Sequence, residues 1–318
     1  MIQTVLTLTL ILAALAPLPA TAAEPSATSG PSAAAQNMVE KFGLREDARR
    51  VSEYAGWNPQ KIVVAMPPRL SAMLPGFEQQ LRDVAGSTEL VFARSPSFSI
   101  ADEMLAGADA MIGLCSVDSV ENAGPELLWI HNNFVGMDRC AGLSEAATED
   151  RVFTNTKRLS GPGIAEHTIA MMTSLARRMP SFTLAQAENR WDGALAQSLS
   201  FGELEGKTLL VVGLGGIGSE IAWRAHGLGM RVIATRNSSR EGPEYIDYVG
   251  LSHELLKLAA EADVIVNALP LTGQTTALFD KTFFSAAKSN SIFISVGRGK
   301  STVTADLMSA LESGKLFG

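Results

Sequence analysis

From Lys61 onward the chain alternates short apolar runs with longer polar or amphipathic segments. KIVVAM (61–66), TELVFA (88–93), AMIGL (110–114), LLWIHNN (127–133) and VFTN (152–155) are rich in β-branched or aromatic residues, a composition that predicts strands. Segments such as LPGFEQQLRDVAG (74–86) separate them, and this alternation predicts a parallel sheet covered by helices. GIAEHTIAMMTSLARRM (163–179) places Ile164, Thr168, Met171, Met172 and Leu175 on one helical face. It is predicted as one helix, long enough to connect two domains, with Arg177 and Arg178 suiting its C-terminal dipole. A second series of β/α units starts at Lys207, with strands expected at TLLVVG (208–213), RVIAT (231–235), ADVIVNALP (262–270) and SIFISV (291–296). We therefore expect two α/β domains, residues 61–157 and 158–318, without a solenoid repeat.

The first sixty residues follow another pattern. VLTLTLILAALA (5–16) is an apolar run too short to span a bilayer comfortably, broken by Pro17 and Pro19 and followed by the small residues of ATAAEP (20–25). That order predicts a secretory signal peptide over residues 1–23, cleaved near Ala22 or Ala23, and a periplasmic or secreted protein with no stable membrane span after cleavage. An uncleaved anchor, or a start assigned too early in a cytoplasmic protein, is the alternative, because MIQT carries no basic residue. EPSATSGPSAAAQ (24–36) holds too little apolar surface to fold, so residues 24–60 are expected to form a linker and N-terminal arm.

Composition narrows the possible partners. The 318 residues are 46% hydrophobic and carry a net charge of −7, which argues against nucleic acid, whose phosphates require basic patches. The two cysteines, Cys115 and Cys140, have no metal-ligand spacing and allow at most one disulfide; no metal site is expected.

One segment carries explicit chemistry. KTLLVVGLGGIGSEIAWRAHGLGMRVIAT (207–235) reads as strand, glycine-rich turn, helix and second strand. In Gly213-x-Gly215-x-x-Gly218 the first glycine permits the tight turn, the second lets the backbone approach a pyrophosphate, and the third allows helix to pack on strand. The amides opening the helix, including those of Gly216 and Ile217, then face the phosphate charge. At the tip of the second strand, where an NAD-binding unit usually offers a carboxylate to the adenosine ribose, this chain has Arg236. A guanidinium favours a 2′-phosphate there, and Asn237, Ser238, Ser239 and Arg240 add donors. NADP(H) is therefore expected in preference to NAD(H).

The GLGGIG turn, the ADVIVNALPLTGQT segment and SIFISVGRGKSTVTADLMSALESGKLFG together resemble the D-isomer-specific 2-hydroxyacid dehydrogenases, as do LLWIHNNFVGMD and GPGIAEHTIAMM. The resemblance covers most of the chain from about Lys61. It implies a Rossmann-type, doubly wound cofactor domain beside a flavodoxin-like α/β substrate domain, with the active site in a cleft between them. It also implies a small 2-oxo or 2-hydroxy acid as substrate and a homodimer joined through cofactor-domain helices. Arg298, with Gly297 beside it at the cofactor, matches the arginine that binds the substrate's carboxylate and oxo groups. The amides of Leu114, Cys115 and Ser116 match a substrate-carboxylate loop, and Leu269 and Pro270 match the segment lining the adenine side. The family's glutamate and histidine fall beyond residue 318, and ESGKLFG (312–318) matches the lead-in to a strand; on this count the cofactor domain is expected to be truncated and its sheet edge open. Of the four histidines, His226 and His253 are expected on exposed helical surface, His167 in local packing, and His131 towards the cleft. The leading expectation is a 2-oxo acid reductase; a non-catalytic dinucleotide-binding protein and a formate-oxidising enzyme are the alternatives.

Overall fold

The computed structural model describes residues 57–197 and 202–318; the expected signal peptide and most of the expected linker lie outside these residues. The chain divides into two compact units, one ending at Leu159 and the other spanning Ser160–Gly318.

The first unit carries strands β1 (Lys61–Ala65), β2 (Glu89–Ala93), β3 (Ala110–Gly113), β4 (Trp129–Asn132) and β5 (Val152–Asn155). Between them lie helices α1 (Pro68–Met73), α2 (Phe77–Ala85), α3 (Asp102–Leu105), α4 (Val117–Glu121) and α5 (Glu145–Thr148). All strand pairs are parallel, in the order β2-β1-β3-β4-β5, which is the flavodoxin-like order. Val63, Ala65, Met111 and Ile130 point into one core with Leu105, Val120 and Leu127. Several strand positions stay only partly covered: none of the four residues of β5 is fully buried.

The second unit opens with α6 (Gly161–Ala176), α7 (Met179–Ala187) and α8 (Gly193–Gln197). It continues with β6 (Thr208–Val212), α9 (Gly216–Gly227), β7 (Arg231–Arg236), β8 (Tyr248–Leu251) and α10 (Leu255–Glu261). The series ends with β9 (Val264–Asn267), α11 (Lys281–Ala286), β10 (Ile292–Ser295) and α12 (Thr304–Glu312). The parallel sheet runs β10-β9-β6-β7-β8, a Rossmann-type arrangement in which strand order reverses beside β6. Leu209 and Val211 face a core shared with α6 and α9, whereas Leu210 and Val212 face Leu258, Phe279, Phe283 and Phe284. Burial on both faces is why these strands read as continuous apolar runs rather than alternating ones.

Three local features depart from the sequence reading. The long helix stops at Ala176: Arg178 adopts a left-handed backbone, and Pro180 opens α7, where a proline is tolerated. Its buried face is Gly161, Ala165, Thr168, Met172 and Ala176, with Ile164, Met171 and Leu175 only partly covered. Small residues win this face because α9 lies close: a Cβ at Gly161 would fall 3.5 Å from Gly216 O. β8 is a further strand, too short at YVGL to announce itself. Finally, the edge of β10 is engaged, since Leu316 bridges Ser291 in parallel and Phe293 N–H donates to Gly318 O at 2.9 Å.

Candidate functional site

In the second unit the glycine-rich turn joins β6 to α9. Gly213 has φ +99, a backbone conformation that side-chain-bearing residues rarely adopt, and a Cβ there would fall 2.9 Å from Leu269 Cδ2. A Cβ at Gly218 would fall 2.1 Å from Gly213 O, so only glycine lets α9 pack on the turn. Gly215, the N-cap residue, meets nothing within 4 Å, and no side chain caps the helix. The first-turn amides of Gly216 and Ile217 therefore start a 12-residue helix beneath open space. This cradle fits the pyrophosphate of a dinucleotide, with the helix dipole adding to the attraction.

Arg236 ends β7, one residue past Thr235, whose carbonyl accepts from Leu214 N–H at 3.1 Å; the strand tip and the glycine turn are thus neighbours. Arg236 Nη1 donates to Glu241 O at 2.8 Å. Asn237 and Ser238 are exposed beside it. Arg240 does not join them. Its guanidinium donates to Tyr248 Oη at 2.8 Å and pairs with Glu254 at 2.7 Å. Hydrogen bonds from Tyr248, the Leu251 amide and Arg240 hold the Glu254 carboxyl at about 2, well below its ordinary range. In this structure a stably ionised carboxylate thus pairs with Arg240, on the surface beside the strand tip.

Arg298 follows β10 in extended backbone. Its carbonyl accepts from both Ser301 Oγ, at 2.6 Å, and Ser301 N–H, at 3.0 Å. Ser301 Oγ in turn accepts from Asn267 Nδ2 at 2.9 Å, and Asn267 Oδ1 accepts from Leu269 N–H at 3.0 Å. The glycine cradle, Leu269–Pro270, Gly297 and Arg298 therefore cluster at the carboxyl ends of β6, β9 and β10, where ligands of open α/β sheets bind.

In the first unit the loop after β3 is more committed than expected. Leu114 N–H donates to Phe98 O at 2.9 Å, and Cys115 N–H to Asn132 Oδ1 at 3.1 Å. Both amides are engaged inside the unit, and Ser116 stands at the N-cap of α4, its hydroxyl accepting from Ser119 N–H. Cys115 is disulfide-bonded to Cys140. His131 is half-buried against Trp129, with Nδ1 2.8 Å from Thr154 Oγ1, and burial lowers its pKa. His167, His226 and His253 are exposed.

The residues that sequence reasoning missed are asparagines. Asn132 and Asn267 are buried at the last positions of β4 and β9, and Asn155 ends β5. An apolar run closed by asparagine (WIHN, VIVN) was a readable signal, because a buried amide must find several partners.

Residues 169–318 match the family described as D-isomer specific 2-hydroxyacid dehydrogenase, NAD binding domain. The chain is 31% identical over 240 residues to the glyoxylate reductase of Thermococcus litoralis, an alignment covering 71% of this chain and 70% of that one. It is 30% identical over 202 residues to the hydroxypyruvate reductase of Thermotoga maritima, covering 64% of this chain and 63% of that one. The chain thus spans about two thirds of the length of these curated relatives. Among solved structures, a D-isomer specific 2-hydroxyacid dehydrogenase family protein from Aeromonas salmonicida superposes with a TM-score of 0.64 at 28% identity, covering 81% of this chain and 79% of that one.

Proposed function

Because the chain belongs to the D-isomer-specific 2-hydroxyacid dehydrogenase family, we propose that it reduces a small 2-oxo acid to the 2-hydroxy acid with a nicotinamide cofactor, NADP(H) in preference to NAD(H). The observation that carries this reading is the placing of the glycine cradle and Arg298 at the carboxyl ends of neighbouring strands in one sheet. Gly213, Gly215, Gly218 and the first amides of α9 would hold the pyrophosphate, and Leu269 and Pro270 would line the adenine side. The cofactor supplies a hydride when bound. The Arg298 guanidinium would hold the substrate carboxylate and draw electron density from the oxo group, stabilising the negative charge that develops on its oxygen. Glyoxylate and hydroxypyruvate, named for the relatives above, are the substrates to try first.

Arg236 supports the NADP(H) preference. It stands at the strand tip where a ribose-binding carboxylate would repel a 2′-phosphate, and a charge-assisted bond of about 1.5–3 kcal/mol favours NADP(H) about ten- to a hundredfold. The test is to titrate NADPH and NADH against the protein and against Arg236→Asp, and to assay reduction of both oxo acids. NADPH should bind more tightly, by a margin that salt reduces and the substitution reverses. Equal affinities that the substitution leaves unchanged would sink the cofactor preference; absence of turnover with either oxo acid would count against the reaction.

A further inference from the structure

Asn267 is fully buried, and its amide is used on three sides: Nδ2 donates to Ser295 Oγ at 3.0 Å and to Ser301 Oγ at 2.9 Å, while Oδ1 accepts from Leu269 N–H at 3.0 Å. Ser301, also fully buried, passes this bond on to the Arg298 carbonyl. We propose that Asn267 and Ser301 are positioning residues, a buried pair that fixes the backbone from which Arg298 reaches the oxo acid. The inference rests on the reaction proposed above.

Three contacts hold the segment leading to Arg298. Before it, Val296 N–H donates to Asn267 O at 3.0 Å. In the middle, Gly297 lies so near the asparagine that a Cβ would fall 2.9 Å from Nδ2 and 2.8 Å from Leu269 O. After it, Ser301 anchors the Arg298 carbonyl twice. A long guanidinium side chain loses much freedom when it binds an anion, and a fixed backbone leaves only its own torsions to be ordered. The same amide holds Leu269, whose side chain lies over the glycine turn. One buried group therefore ties the arginine loop to the wall of the cofactor cradle.

Ser301→Ala is the decisive variant, because it removes one hydroxyl without adding bulk. Misplacement of a reacting group by about 1 Å costs up to about a hundredfold, so we expect kcat/KM for glyoxylate or hydroxypyruvate to fall at least about tenfold, mostly through KM. NADPH affinity should stay within about twofold of wild type. In an Arg298→Lys background, where the fork is already lost, the same substitution should cost less than about twofold, since residues acting as one unit are not additive. Asn267→Asp, whose carboxylate would take the Ser301 hydroxyl away from the Arg298 carbonyl, should repeat the KM effect. Amide exchange over residues 296–303 should accelerate in both variants. An unchanged KM in Ser301→Ala, or equal losses in the wild-type and Arg298→Lys backgrounds, would overturn the proposal. If the wild type turns over neither oxo acid, the reaction fails on its own account, and exchange over 296–303 decides the clamp: acceleration supports it and unchanged protection refutes it.

Discussion

Each unit ends an inner strand of its parallel sheet in a buried asparagine, Asn132 on β4 and Asn267 on β9, and each amide holds the loops beyond the strand. Asn132 accepts from Cys115 N–H and donates to the carbonyls of Phe134, at 2.8 Å, and Gly136, at 2.9 Å. Asn267 works through the hydroxyls of Ser295 and Ser301. What supports the two asparagines differs. Beneath Asn267, β6 and β9 are buried along their whole length, and Phe279, Phe283, Phe284 and Phe293 pack ring against ring. Around Asn132 the strands are partly exposed, and the Cys115–Cys140 bond ties the loop after β3 to the short helical turn Asp138–Cys140. Apolar burial can hold a loop rigid where the core is thick; where it is thin, a covalent bond does so.

The largest expected effect that would sharpen this contrast is in the second unit. Phe283→Ala removes a fully buried ring from the phenylalanine cluster, and such truncations cost about 3–5 kcal/mol. Hydrogen exchange read peptide by peptide should show the loss over β9, α11 and β10. Amides of the first unit should keep their protection; equal loss in both units would break the comparison.

Next comes the disulfide. It closes a separation of 25 residues, for which chain entropy gives about 3.5 kcal/mol. Cys115→Ala combined with Cys140→Ala should lower the protection of β3 and β4 by that order and leave β6 and β9 alone. An unaffected first unit would mean that Asn132 alone suffices there. If residues 1–23 are removed on export as expected, sequencing of envelope-derived protein should find its N-terminus near Ala23 or Glu24.

The smallest effect is a difference in pH response. Glu78, held mainly by hydrogen bonds from Arg94 and Ser71, and Glu254 both sit at about 2, so each stays ionised over the ordinary acidic range and the two offset each other. His131 sets the difference. Burial holds its folded pKa below the ordinary value, so the folded state binds fewer protons than the unfolded one. The first unit is at full stability above the ordinary histidine range and loses some as the pH falls through it. Unfolding midpoints of the wild type and His131→Gln, compared at neutral pH and about two units lower, should converge in acid. A constant gap would remove the histidine from the account.

Much of this was legible along the chain. The nine expected strands are all present, with ends shifted by at most three residues, because short β-branched runs between polar segments have few other ways to bury themselves. The glycine turn was legible as well, since two of its glycines answer steric demands that no other residue meets. β8 was not: four residues hold too little apolar pattern, and pairing with β7 makes them a strand. The buried face of α6 was misread because the nearness of α9 selects small residues over large ones.

The sequence by itself determined the two α/β units, the nucleotide-binding turn, the arginine at the tip of β7 and the family, since each depends on residue types at fixed local spacing. Only the tertiary structure decided which partners these polar groups have. Arg240 is taken by Glu254, 14 positions away, the Cys115 amide by Asn132, 17 positions away, and the Arg298 loop by Asn267, through Ser301, 34 positions from it. Hydrogen-bond capacity is used up by neighbours in space, and spacing along the chain does not record who those neighbours are.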